Sequence, residues 1–243
     1  MFSIYKKELQ SFFYTPFAYT ISALFMLLFT YMFNTGIANI DSSTYYFSFS
    51  SVFYNVTLFF IFLIPILTMR TFSDERKFGT EVLLMTSPNN VFKIVIGKFL
   101  ANVTVFAFML VCSSIFPIVT AINGNLVKSQ LFCAYLGFFC WGIMCIAVGM
   151  LMSSFTENSI IAAILGEVSM LAMLFIDDFS RTAFAEQIPW LQKTLYAFAA
   201  QPKFEYFSQS LIRLSDIVFF ISAVILFLGW TVVSIEKRRW NRG

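Results

Sequence analysis

Glu167 sits in an apolar run beside Ala162, Ala163 and Gly166, the one carboxylate that this chain of 243 residues sets in the middle of hydrocarbon-like sequence. An acidic side chain at the centre of a bilayer-spanning helix costs about 2.5 to 3.5 kcal/mol on insertion scales, so it must face protein, a cavity or a partner rather than lipid. Three roles are open to it: contact with a cationic group of a substrate, a part in proton movement, or a protonated hydrogen bond between helices. Little else could do chemistry. The chain has no His, which removes the commonest proton shuttle and metal ligand. Its four cysteines, Cys112, Cys133, Cys140 and Cys145, fall inside apolar runs and read as small packing residues rather than a disulfide framework or metal cage. No nucleophile stands near a base, and the phosphate-cradling pattern G-x-x-x-x-G-K-[ST] is missing, so neither a catalytic nor a nucleotide site is expected.

The most informative polar stretch runs from Phe72 to Pro88. It holds Glu75, Arg76, Gly79, Thr80 and Glu81, then the apolar Val82, Leu83 and Leu84. Gly79 and Thr80 suit the start of a short helix, Glu81 would favour the positive end of its dipole, and Pro88 would stop it. A short polar helix carrying an apolar ridge offers a surface that a water-soluble partner can bury, or that packs on the chain's own helix ends.

The elements that hold these residues follow from composition. Hydrophobic residues make up 59% and charged residues 12%, against about 45–50% and 25% for a soluble domain. A hydrocarbon core about 30 Å thick takes about 20 apolar residues per helix, and six such runs occur, near 17–36, 51–69, 99–121, 131–153, 159–176 and 217–235. The expected fold is an all-α polytopic membrane protein with six transmembrane helices. Pro65 and Pro117 are expected to kink or interrupt the second and third spans. The 33 phenylalanines suit lipid-facing and interfacial surface. A stripe of Gly142, Cys145 and Gly149 on span four is expected to pack closely on another span.

Residues 1–15 place Phe2, Tyr5, Leu9, Phe12 and Phe13 at helical spacing with Lys6, Lys7 and Glu8 between them, the pattern of an amphipathic helix lying in the cytoplasmic interface. Residues 16–243 then form the six-span unit. Of the sixteen Lys and Arg, only Lys128, Arg181, Lys193, Lys203 and Arg213 fall on the outer side; Lys6, Lys7, the 70–98 loop and the tail with Lys237, Arg238 and Arg239 carry the rest. The positive-inside rule therefore puts both termini in the cytoplasm of a multi-pass protein. The outer segment 178–213 is long but half apolar. Its Leu191, Leu195 and Phe198, then Phe204, Phe207 and Leu211, suggest two short amphipathic helices that dip into the outer leaflet or cap the bundle. Asp177 and Asp178 read as a solvated cap, and Glu157 as a helix cap or a contact with a partner. A net charge of +3 is too small to imply a nucleic-acid partner.

Phe72, Glu75, Arg76, Gly79, Thr80, Glu81, Leu83, Leu84 and Pro88, followed by Gly97, Lys98, Phe99, Leu100 and Ala101, carry a resemblance to the ABC-2 type transporter permeases. A third matching stretch includes Phe207, Leu211, Asp216, Phe219, Phe220, Leu228 and the closing Glu236, Lys237, Arg238, Arg239 and Trp240. Within the family the chain resembles the subgroup named for the gliding-motility permease GldF, departing from it at Ser210 to Arg213, where a glycine-rich start of the last outer turn is usual. The resemblance implies an ABC exporter-type transmembrane domain in a bacterial cytoplasmic (inner) membrane. Each subunit would pair with a second permease subunit, identical or paralogous, and dock on a cytoplasmic nucleotide-binding ATPase that holds ATP and Mg. Residues 72–90 would then be the coupling segment, flanked by Lys6, Lys7 and Glu8, and Glu167 a candidate for the translocation path. Membrane lipid, and in some relatives an extracytoplasmic auxiliary subunit, complete the implied partners.

Two rival functions fit the same composition. An ion-coupled secondary transporter would use Glu167 as its coupling carboxylate, although interrupted helices in matching halves are not evident. An ATPase-coupled anchor would pass motion to an extracytoplasmic machine through the outer segment.

Overall fold

The computed structural model describes residues 2–38, 49–81, 90–123, 127–180, 190, 199–208 and 211–241. Among the described residues ten helices follow in order: α1 (Phe2–Tyr14), α2 (Phe17–Ala38), α3 (Phe49–Thr68), α4 (Arg70–Lys77), α5 (Val91–Ser113), α6 (Ile115–Asn123), α7 (Lys128–Phe155), α8 (Ser159–Ser180), α9 (Gln201–Ser208) and α10 (Leu214–Asn241). No strand occurs among the described residues. Six helical stretches are long and apolar enough to cross a membrane: Phe17–Ala38, Phe49–Lys77, Val91–Ile122, Lys128–Phe155, Ser159–Ile176 and Leu214–Arg238. The chain is an all-α polytopic membrane protein.

α7 is the axis of the bundle, packed by α3, α8 and α10, with α9 across one end. Between membrane helices the apolar effect gives no drive to associate, so close fit has to do the work. The stripe of small residues on α7 supplies it. A Cβ at Gly142 would strike the Phe106 ring of α5, and one at Gly149 would strike the Thr68 hydroxyl of α3. Phenylalanine fills the lipid-facing role expected of it at Phe62, Phe132 and Phe175, which are exposed, but it also builds the core. Phe25, Phe29, Phe53, Phe60, Phe106 and Phe138 are all buried. Their rings interlock around α7, with Phe60 5.0 Å from Phe138 and 5.1 Å from Phe106. Aromatic pairs at such separations add about 0.5–1.5 kcal/mol each beyond the area they bury.

The third span breaks at Ser114, three residues before Pro117. Proline has no N–H to give the carbonyl one turn back and its ring crowds that carbonyl, so the helix parts there and resumes with Pro117 in the first turn of α6. The Ser113 hydroxyl donates to the Leu110 carbonyl at 2.8 Å and the Ser114 hydroxyl to the Val111 carbonyl at 2.6 Å, replacing bonds lost at the break. Pro65, by contrast, lies inside α3, where its ring packs beneath Gly166 of α8.

Two boundaries differ from expectation. The charged stretch after the second span is not a loop at first: α4 continues α3 past a single turn residue, Met69. At its far side α5 begins at Val91, with the Asn90 side chain accepting from the Phe92 N–H at 3.1 Å as its N-cap. Lys98, counted among the loop cations, is therefore two turns inside a helix. Of the outer segment, α9 caps the bundle rather than dipping into lipid: Phe204 and Phe207 are buried, Phe207 against Gly137 of α7. Leu191, Leu195 and Phe198 lie outside the described residues, as do the side chains of Asp177 and Asp178.

Candidate functional site

A cluster of charged residues gathers at one end of the bundle, where α1, α4, α5, the α7–α8 turn and the last turns of α10 meet. The convergence starts with a backbone problem. Where α3 passes into α4 at Met69, the N–H groups of Phe72 and Ser73 need acceptors from outside their own helix. Ser153 of α7 supplies one: its hydroxyl accepts from Phe72 at 3.1 Å and Ser73 at 3.3 Å and donates to the Met69 carbonyl at 2.9 Å. α4 is thereby fixed to α7.

Lys98 fills the next layer. It is 2% exposed, and its ammonium meets three acceptors: Glu75 of α4 at 2.8 Å, Glu8 of α1 at 3.0 Å and the Thr71 carbonyl at 2.8 Å. Three N–H donors with three acceptors leave no part of the buried cation unsatisfied. The Phe72 ring lies 5.3 Å from the same ammonium, within cation–π range. Asn102, one turn on, ties its amide to the Thr71 hydroxyl at 3.3 Å.

A second ionic layer caps α7. The Ser154 carbonyl, near the negative end of that helix, accepts from Arg76 at 3.3 Å and also from Arg238 of α10. Arg76 reaches Glu157 at 2.9 Å, and Glu81 lies 3.9 Å from Arg76 and 3.7 Å from Arg238. Asp74 accepts from the Ser159 hydroxyl at 2.7 Å, joining α4 to the start of α8.

The residues singled out in 72–81 therefore divide into two sides. Phe72 and Glu81 are buried, and Glu75 and Arg76 are mostly so, spent on contacts within the chain. The outward side is Phe78, 72% exposed, with Gly79 and Thr80 exposed beside it. Gly79 has φ of 69°, the left-handed conformation that closes a helix, so it ends α4; the short helix expected after it falls on residues 82–89, outside the described residues. Leu83, Leu84 and Pro88 lie outside the described residues. Of the N-terminal trio, Glu8 turns inward to Lys98, while Lys6 and Lys7 stay exposed.

No protein-family model matches the chain, and no curated protein matches it either. The geometry has to speak for itself.

Glu167 is part-buried on α8 and makes no hydrogen bond or ion pair with any described residue. It does not join the ionic layers. Among the described residues no group of three or more His, Cys, Asp or Glu is placed to hold a metal. The cavity beside Tyr54, Trp141 and Gln201 encloses about 60 Å³, room for a few waters. Sequence reasoning assigned Lys98 to a loop and Arg238 to the cytoplasmic tail, and gave Ser153 no role. The signal for Lys98 was its setting, a lone cation between Ile94, Val95, Ile96 and Phe99, Leu100.

The ion pairs at this end tie α4 to α5 and the α7–α8 turn, α5 to α1, and Glu81 to α10.

Proposed function

We propose that the chain is the transmembrane permease subunit of an ATP-binding cassette transporter, an exporter driven by separate ATPase subunits that bind ATP and Mg. The observation that carries this reading is the pairing of an exposed tip with a rigid base. Phe78 stands out at the turn after α4, while Ser153, Lys98 and Asp74 fasten α4 to α7, α5, α1 and α8. A force applied to such a tip is shared among several spanning helices, as coupling to an external motor requires, because packed elements move as units. Exposed aromatics at a protein surface are favoured anchors for a partner. The segment containing Phe78 would lie in the cytoplasm of a bacterial inner membrane, with both termini on that side and a second permease subunit alongside. Glu167, unpaired with any described residue, suits a translocation path or the contact between two subunits.

The ATPase-coupled anchor remains a second reading because of α9. Phe207 fills the space above Gly137 and Phe204 lies against Trp141, so a helix at the far end of the bundle is fixed to the same α7 that carries Ser153 and Ser154. Movement of α7 would pass through it to an extracytoplasmic subunit. Substrate-stimulated ATPase activity separates the two.

The test of ATPase docking is a photo-crosslinking residue placed at Phe78 or Thr80 in cells. The expected product joins the chain to a soluble nucleotide-binding subunit. Crosslinks confined to lipid, or to this chain itself, would contradict the docking surface.

A further inference from the structure

Away from the ionic layers, a groove of about 390 Å³ runs between α1 and α5, lined by Phe2, Tyr5, Leu100 and Thr104. That volume lies within the about 300–1,000 Å³ typical of small-molecule sites. Its polar groups are already consumed. The Thr104 hydroxyl donates to the Leu100 carbonyl at 2.7 Å and pairs with the Tyr5 hydroxyl at 3.1 Å, so Tyr5 spends its proton on Thr104. A groove whose hydroxyls satisfy one another presents hydrocarbon and aromatic surface to whatever enters, and water gains nothing there.

Two exposed lysines share, by helical register, the faces of α1 and α5 that carry lining residues. Lys6 follows Phe2 by one turn on α1, and Lys93 precedes Leu100 by seven residues on α5, which puts each on the side of its helix that lines the groove; both are exposed. The nearest carboxylate on α1, Glu8, is held by Lys98 and does not neutralise them.

We infer that this groove binds one anionic glycerophospholipid of the surrounding bilayer, an acyl chain lying along Leu100 and Thr104 and the phosphate meeting Lys6 and Lys93. The inference needs the chain to be embedded in a membrane, as its six apolar spans require, and does not depend on the ATPase-coupled reading. It gives the amphipathic α1 a specific occupant instead of a general affinity for the interface. A juxtamembrane lysine near an anionic surface contributes about 1 kcal/mol, so each should change affinity about fivefold.

The experiment is native mass spectrometry of the full chain titrated with phosphatidylglycerol or phosphatidylcholine. The wild type should retain phosphatidylglycerol preferentially. Lys6→Gln and Lys93→Gln should each lower its retention about fivefold and leave phosphatidylcholine unchanged, while Leu100→Trp, filling the groove, should lower both. Equal retention of the two lipids by wild type would overturn the proposal, as would undiminished phosphatidylglycerol binding by a monodisperse Leu100→Trp protein. A second copy crosslinked through α1 in place of lipid would overturn it too. Should Leu100→Trp fail to fold, the two lysine variants still decide, because both side chains are exposed.

Discussion

Glu75 and Lys98 meet at 2.8 Å across the junction of α4 and α5, the lysine all but sealed from solvent. A carboxylate from the polar end of one span and a cation from the interior of the next are each other's principal compensation, with Glu8 of α1 as the third member. A buried pair adds little over an apolar pair of the same shape, but removing one partner leaves a charge stranded.

Lys98→Met should therefore destabilise the protein by about 3–5 kcal/mol, since it strands Glu75 and frees Glu8. Adding Glu75→Gln should recover a large part of the loss. Thermal unfolding in detergent, run as a double-mutant cycle, checks both; independent, additive effects would mean the pair is not coupled.

Glu157→Gln should cost no more than about 1 kcal/mol, although its distance to Arg76 is equally short. Glu157 is 60% exposed, so solvent already screens the charge. The same unfolding assay should rank it far below Lys98→Met.

Gly149→Ala should lower stability by about 1–3 kcal/mol, because the added methyl would overlap the Thr68 hydroxyl where α7 meets α3. Thr68→Ala in the same chain should relieve part of that cost, the Thr68 hydroxyl being bonded to its own helix at Ile64. Gly229→Ala, with nothing within 4 Å of the new Cβ, is the matched control and should be neutral or slightly stabilising.

Glu167→Gln should leave the unfolding temperature of the isolated chain unchanged, because no described residue pairs with the carboxylate. A clear drop would reveal a partner within the chain. Loss of transport with stability intact would support a place on the translocation path.

The six spans were legible because a run of about 20 apolar residues has few other uses. Their ends were less so. A lysine reads as surface in any local window, and what makes Lys98 an interior residue is acceptors 90, 27 and 23 positions away, at Glu8, Thr71 and Glu75. The break at Ser114 was placed at Pro117 because the proline is the visible cause, whereas the lost bond lies one turn earlier. Phenylalanine was legible only in part for a similar reason: composition reports how many rings there are but not that α7 offers glycines for some of them to pack over. In residues 72–81, residue type marked a polar stretch, while the inward or outward direction of its side chains depended on Ser153 and Lys98. That is why Phe78, and not Phe72, is the residue that faces outward.

The central claim is that an ATPase docks at the exposed turn after α4, and the most direct measurement is a pull-down from detergent-solubilised native membranes with wild type and Phe78→Asp side by side. Phe78 is exposed, so the variant should fold as wild type does. A nucleotide-binding ATPase should co-purify with wild type and fall about thirtyfold with the variant, the loss of one interface hot spot of about 2 kcal/mol. Absence of any ATPase from the wild-type preparation would contradict the ATP-driven permease and bring the ion-coupled transporter, with Glu167 at its centre, to the front.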